Sequence, residues 1–289
     1  MENRRGIKAA LKKLIKNPTA TLALILIVIV VLMVILAPVL TSYGPEDQAV
    51  KERLLPGFWD PENSMGRFLG TDHLGRDTFA RLLYGGRITL IVALAATALG
   101  LTAGVLMGVL AGYFPRLDNP IMRLMDVLFT FPGILLAMLI VAMLGVSTLN
   151  ATIAISIWSI PSFARMVRSK VLSVKQEEFI VATRTLGASD FRIILYHILP
   201  NIMGTIIVIA TMRLASSIMS IATLSFLGLG TPPPAPEWGG MIATAKEYMW
   251  DRPSLIIIPG IVVMILVISF NVLGDKLTDL FDPSLKENA

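Results

Sequence analysis

Residues 178–201 read EFIVATRTLGASDFRIILYHILPN, a charged, glycine-hinged segment set between two long apolar runs. A chain that merely turned around at a membrane surface would need only a short connection there. This one keeps two short helical patterns, a glycine break and a terminal Leu199-Pro200 pair. The flanking runs decide the fold class. Of 289 residues, 55% are hydrophobic and 16% charged, with a mean hydropathy of +0.73, too apolar for a soluble domain of this size.

Stretches able to cross about 30 Å of hydrocarbon, roughly 20 residues each, fall at Ala20–Leu40, Ile88–Tyr113, Ile121–Gly145, Ala151–Met166, Ile198–Leu229 and Leu255–Leu273. Only helices and closed barrels satisfy the backbone in lipid, and these runs lack the period-two alternation of barrel strands. The expectation is an all-α integral membrane protein with six transmembrane helices. Arg4, Arg5, Lys8, Lys12, Lys13 and Lys16 precede the first run and place the N-terminus in the cytoplasm. Six crossings return the C-terminus there. Arg165, Arg168, Lys170, Lys175, Arg184 and Arg192 then lie on the same side. The first run is longer than a signal-peptide core and lacks a small-residue cleavage site, so it reads as a retained helix.

This divides the chain into 1–84 (cytoplasmic N-terminus, first helix, external segment), 85–275 (the transmembrane domain, with a cytoplasmic elbow at 174–200) and 276–289 (a cytoplasmic tail). The segment 41–83 is soluble in character and long for a connector. A second outer segment, 231–253, holds PPPAPEWGG and an amphipathic piece from Met241 to Trp250 whose Tyr248 and Trp250 suit the membrane interface. The two either roof a pore and meet a ligand carrier or serve as a rigid turn and an interfacial anchor.

Gly100, Gly104, Gly108 and Gly112 recur every four residues on one face of the second helix. In lipid such a small-residue stripe lets another backbone approach closely. Packing within the chain is the simpler use, a dimer interface the other. Arg213 sits near the middle of the fifth run, where a charge is costly, so it faces either a water-filled path or a structural partner. Asp126 is expected to pair locally with Arg123.

What is missing narrows the function. No GxxxxGK[ST] phosphate loop is present, so the chain lacks the usual cradle for ATP. The two histidines, His73 and His197, fall in different compartments, there is no cysteine, and no metal or catalytic constellation forms. The net charge of +5 is accounted for by cytoplasmic clusters facing anionic lipid, with no basic stripe interleaved with aromatics for nucleic acid.

From Val174 to Leu186, apolar Val174, Phe179, Ala182 and Leu186 recur at helical spacing, with Lys175, Glu177, Glu178 and Arg184 elsewhere on the wheel. Gly187 fits the left-handed position after a helix. Ser189 caps the next helix, with Asp190 favourable in its first turn. Pro200 is expected to kink the chain into the fifth span, laying both short helices across the inner face. An interfacial hairpin held by lipid headgroups would look the same.

These residues also resemble the integral membrane subunits of ABC importers, whose motif runs EAA, three residues, Gly, nine residues, then I-x-L-P. Val181, Ala182 and Thr183 occupy the EAA positions, Gly187 the glycine, and Leu199 and Pro200 the final pair. The departures are Val181 for glutamate, Thr183 for the second alanine and His197 for isoleucine, with Glu178 and Arg184 the nearest charges to substitute. FLGTDHLGRDTFARLLYGGRITL (68–90), LGLGTPPPAPEWGGMI (227–242) and GDKLTDLFDP (274–283) are similar to stretches of the C-type permease subunits of dipeptide, oligopeptide and nickel importers.

The resemblance implies half of a pore in a bacterial or archaeal cell membrane. Its partners would be a second related permease subunit, two cytoplasmic ATPases that bind ATP and Mg, and an extracytoplasmic substrate-binding protein. This chain would bind no cofactor and catalyse nothing. Coupling to the ATPases would fall to Glu178, Phe179, Ala182, Thr183, Arg184, Gly187, Ser189, Asp190, Leu199 and Pro200, with Arg213 a candidate pore residue. Peptides are the expected cargo, with nickel or metal chelates and glutathione as alternatives. An ion-coupled secondary transporter would instead be expected to carry intramembrane carboxylates and broken helices.

Overall fold

The computed structural model describes residues 17–61 and 66–281. The basic cluster from Arg4 to Lys16 and the tail beyond 281 lie outside the described residues. Among those described, every regular element is helical apart from one isolated bridge between Thr71 and Asp77. α1 spans Pro18–Ile35, its first turn capped by the Asn17 side chain, which accepts from the Thr19 and Ala20 amides at 3.1 and 3.3 Å. The short α2, Ala37–Leu40, follows.

The centre of the bundle is α3, Thr78–Tyr113, packed along α6, Thr148–Val174. α3 begins well before the expected Ile88, so the external segment stops at Asp77 rather than Leu83. Asp77 accepts from the Ala80 amide at 2.7 Å and starts the helix. The charges that made 78–87 look like loop are satisfied: Arg81 donates to the Pro45 carbonyl at 2.8 Å, and Arg87 to those of Val34 and Ile35 at 3.0 and 2.9 Å. With 36 residues, α3 is roughly 54 Å long. It thus joins the segment that ends at Asp77 to the elbow.

Gly100, Gly104, Gly108 and Gly112 are all buried against α6. A Cβ at Gly104 would come within 2.4 Å of the Phe163 Cβ, and one at Gly108 within 2.6 Å of the Ala164 carbonyl oxygen. The stripe is a seam within one chain, where backbone meets backbone.

The third apolar run is not one span. It splits into α4, Pro115–Thr130, and α5, Gly133–Leu144, bent by 90°. Pro132 lacks an amide hydrogen and holds Phe131 extended at φ −86°, ψ 134°, which ends α4. Asp126, expected beside Arg123, instead pairs with Arg165 of α6 at 2.6 Å, because the bend turns α4 along that helix.

The elbow differs from expectation in two ways. Val174 ends α6, a turn covers Lys175–Glu177, and α7 spans only Glu178–Thr185. Beyond it, α8 (Asp190–Ile193), a π turn (Ile194–Ile198) and α9 (Leu199–Phe226) form one continuous helix, so Pro200 does not kink the chain. In the wide turn the Leu199 amide reaches back to the Ile194 carbonyl, and the slack absorbs the proline's missing donor.

Packed against the first turns of α3, α10 (Trp238–Ala245) starts earlier than the expected Met241–Trp250 piece. Trp238 is fully buried and donates from Nε1 to the Leu82 carbonyl at 2.9 Å. The buried Glu237 carboxylate accepts from Thr89 Oγ1 and from the Gly240 amide, each at 2.9 Å. Trp250 is exposed, whereas Tyr248 stacks on His73 with ring centroids 5.5 Å apart. α11, Ser254–Phe281, completes the bundle against α9 and α1. α3 and α11 run unbroken through the 84–85 and 275–276 divisions.

Residues 41–61 and 66–77 form a compact platform at the opposite end of α3 from the elbow. Arg67 pairs with Glu52 at 2.6 Å and lies over the Tyr43 ring at 3.7 Å, while Arg76 pairs with Asp72 at 2.7 Å. Arg252 ties the second outer segment to it by donating to the Leu54 carbonyl at 2.7 Å. Gly75 has φ +73°, and a Cβ there would sit 1.9 Å from the Ala49 carbonyl oxygen, so only glycine fits. By length and composition α1, α3, α8–α9 and α11 can each cross a membrane, and the bent pair α4/α5 adds a fifth candidate.

Candidate functional site

The elbow is built on an apolar seam. Ile180 of α7, Ile193 of α8 and Ile198 of the π turn pack with Val109 and Tyr113 of α3, Val167 and Val171 of α6, and Ile202 of α9, with Leu199 packed against them. All but the partly buried Leu199 are nearly or wholly removed from water, and burying one such side chain contributes on the order of 2 kcal/mol. Ile180, 2% exposed, anchors the face of α7 opposite to the one that helical spacing alone selected.

The hinge between α7 and α8 is closed by hydrogen bonds at the helix end. Gly187, at φ +82°, donates to the Arg184 carbonyl at 3.0 Å, and Ala188 donates to that of Thr183 at 3.3 Å. This is the paired arrangement in which a left-handed residue ends a helix. Nothing lies within 4 Å of a Cβ built on Gly187, so backbone conformation alone selects glycine there. Ser189 Oγ accepts from the Arg192 amide at 3.4 Å and starts α8. Thr183 donates back to the Phe179 carbonyl at 2.6 Å.

Tyr113, the last residue of α3, gathers the charged members of this segment. Its hydroxyl donates to Asp190 Oδ1 at 2.5 Å and accepts from Arg184 Nη2 at 2.8 Å. Its carbonyl accepts from Lys175 Nζ at 2.6 Å, and Arg184 and Asp190 are themselves 3.7 Å apart. Burial lowers the Lys175 ammonium from its usual range and Arg184 adds to that, with Asp190 opposing. Sequence reasoning named Arg184 and Asp190 but not Tyr113, which no local pattern marks.

What the seam does not use is presented outward. Phe179, Val181, Ala182, Leu186, Phe191 and Tyr196 are all exposed, Leu186 at 88%. Gln176, Glu178, Val181, Ala182, Thr185 and Leu186 line a groove of about 530 Å³ along α7. The Phe179 ring lies 6.4 Å from that of His197. A concentration of apolar side chains on a charged surface is the signature of a protein contact.

Arg213 stands apart, in the wall of an open groove of about 680 Å³ between α6, α9 and α11 that Ser162, Arg165, Ser169, Ser216 and Asn271 also line. Among the described residues no group of His, Asp and Glu is placed to hold a metal.

Two comparisons of sequence bear on this arrangement. Residues 100–287 match the family described as binding-protein-dependent transport system inner membrane component, and residues 7–56 match the N-terminal TM domain of oligopeptide transport permease C. The chain is 42% identical to the dipeptide transport system permease protein DppC of Alkalihalophilus pseudofirmus, over 96% of this chain and 90% of that protein. It is 43% identical to the glutathione transport system permease protein GsiD of Pectobacterium atrosepticum, over 86% and 82% respectively. Among solved structures, the MetNI methionine ABC transporter in an inward-facing conformation superposes with a TM-score of 0.58 over 70% of this chain and 96% of that one, at 19% identity.

Proposed function

We propose a peptide-import role for this chain, which belongs to the family of binding-protein-dependent transport system inner membrane components. It is a permease subunit of an ABC importer and a multi-pass inner-membrane protein. The carrying observation for peptides is the 42% identity, along 96% of the chain, to a dipeptide permease. Glutathione is the second reading, favoured by the relative of that name. In the proposed assembly the chain forms half of the pore, beside a second permease subunit. An external binding protein delivers cargo, and two cytoplasmic ATPases bind ATP and Mg and drive the cycle.

Six crossings with both termini in the cytoplasm fit this role. The elbow and the outer platform sit at opposite ends of α3, and Arg165, Arg168, Lys170, Lys175, Arg184 and Arg192 gather toward the elbow end. The exposed side of α7 is then the ATPase contact. Nucleotide can shift the pore only if the elbow fits one ATPase arrangement better than the other. The seam under Ile180 and the Tyr113 bonds make the elbow move with α3 and α6 as one body, so that a displacement at the groove reaches the pore helices.

The test is uptake of labelled dipeptide and of labelled glutathione by cells with and without the gene. Loss of dipeptide uptake on deletion, restored by the wild-type chain, is expected. Unchanged uptake of both solutes would sink the peptide reading and its alternative together.

A further inference from the structure

Among the described residues, Arg213 is a cation without an anion. It lies near the midpoint of α9, partly buried. Among the described residues it makes no hydrogen bond and no ion pair, and no neighbouring carboxylate acts on it. The other guanidinium of the groove, Arg165, is already neutralised by Asp126 at 2.6 Å and covers the Phe129 ring at 4.1 Å. An arginine left unpaired at membrane depth is expensive, and such residues face a partner or a water-filled path.

The groove wall around it sets polar side chains among apolar Phe129, Met166, Ile209 and Met212. Ser162 and Ser169 line it from α6, and Ser216 and Asn271 from α9 and α11. Ser216 Oγ donates to the Met212 carbonyl at 3.4 Å and Asn271 Nδ2 to that of Val267 at 2.9 Å. This leaves the Ser162 and Ser169 hydroxyls beside the guanidinium, a set suited to a planar anion, which Arg engages through two parallel N–H bonds. We infer that Arg213 receives the carboxylate of the cargo as it passes the middle of the membrane, with Ser162 as an adjoining donor. This rests on the import reading above and sharpens it: the cargo class is small solutes bearing a free carboxylate, which peptides and glutathione share.

The experiment uses the whole transporter in liposomes, with its binding protein preloaded with a labelled dipeptide or with the same dipeptide as its C-terminal amide. Uptake is expressed per loaded binding protein, so that the binding protein's own preference cancels between permease variants. The wild type should favour the acid. Arg213→Gln should slow the acid about tenfold and leave the amide unchanged, a coupling of the size expected for a lost charge-assisted pair. Arg213→Lys should keep most of the preference.

Equal losses for acid and amide would mean that Arg213 braces the bundle or pairs with the second permease subunit, and would overturn the proposal. So would no loss for either. Should the glutamine variant not assemble, Arg213→Lys decides: a lysine complex that keeps the acid preference supports the proposal, and one that treats acid and amide alike overturns it. Wild-type liposomes that import neither compound overturn the peptide reading itself, a result distinguishable from an unchanged acid-to-amide ratio.

Discussion

Tyr113 and Asp190, 77 residues apart in the chain, are joined by a 2.5 Å hydrogen bond in which the phenol donates to the carboxylate. The bond links the last residue of α3 to the first of α8, the two helix ends nearest the proposed ATPase contact. Any force that shifts the elbow must carry α3 with it or break this link.

Tyr113→Phe keeps the ring in its seam and removes both hydroxyl bonds. Asp190 and Arg184 are each about half exposed, so the cost to folding should stay near or below about 1 kcal/mol. Coupling should suffer more than stability. The expected outcome is a several-fold drop in solute moved per ATP hydrolysed, with normal amounts in the membrane. A variant with an unaltered transport-to-hydrolysis ratio would remove Tyr113 from the coupling path.

Gly187→Val strains the left-handed hinge by roughly 1 kcal/mol, with open space around the added Cβ. Ala182→Glu places a charge on the exposed side of α7 without touching the seam. Both should insert normally, lose uptake and fail to retain the ATPases on purification. Normal transport by either would show that the outward side of α7 is not the docking surface.

Gly104→Leu attacks the α3–α6 seam, where a Cβ alone would meet Phe163 Cβ at 2.4 Å and the Ile160 carbonyl oxygen at 2.9 Å. Overpacking of this kind costs about 1–3 kcal/mol or more. Here rigid backbone stands on the other side. Melting of the purified protein should occur several degrees lower, and an unchanged melting temperature would refute the seam.

The outer platform should be sensitive to acid through His73. Burial against Tyr248 lowers its pKa below 6.5, with Arg76, Arg81 and Arg53 adding to the shift and Asp72 opposing it. The folded form therefore binds its proton less readily than the unfolded one. The contribution is fully present above pH 6.5 and is lost as pH falls through the lower folded value. Melting temperature measured down that range should decline, and His73→Gln should flatten the decline. An identical pH profile for wild type and variant would exclude His73 as its source.

Much of this was legible in the sequence because the signals were local. The Gly187 bend, the Ser189 cap and the apolar runs each follow from residues a few positions apart. The readings that failed depended on distant atoms. Arg81 and Arg87 looked like loop residues until carbonyls at Pro45 and Val34 accepted them. The buried side of α7 is chosen by the wall that Val167 and Val171 present, which the spacing of 174–186 cannot reveal. Tyr113 ends an apolar run like any other aromatic residue, and only the fold brings Arg184 and Asp190 to it. The break at Phe131–Pro132 is a different case, since the proline was in plain view but hydropathy across 121–145 is continuous.

The π turn at Ile194–Ile198 acts as a phase setting. One residue of an ordinary helix corresponds to roughly 100° of rotation, and the wide turn inserts about that much between the elbow and α9. Removing a single residue there would turn α8, and α7 behind it, a quarter turn or more around the axis that carries Arg213. The elbow and the groove at Arg213 are thus clocked to one another by five residues, one of which, Ile198, is also buried in the seam.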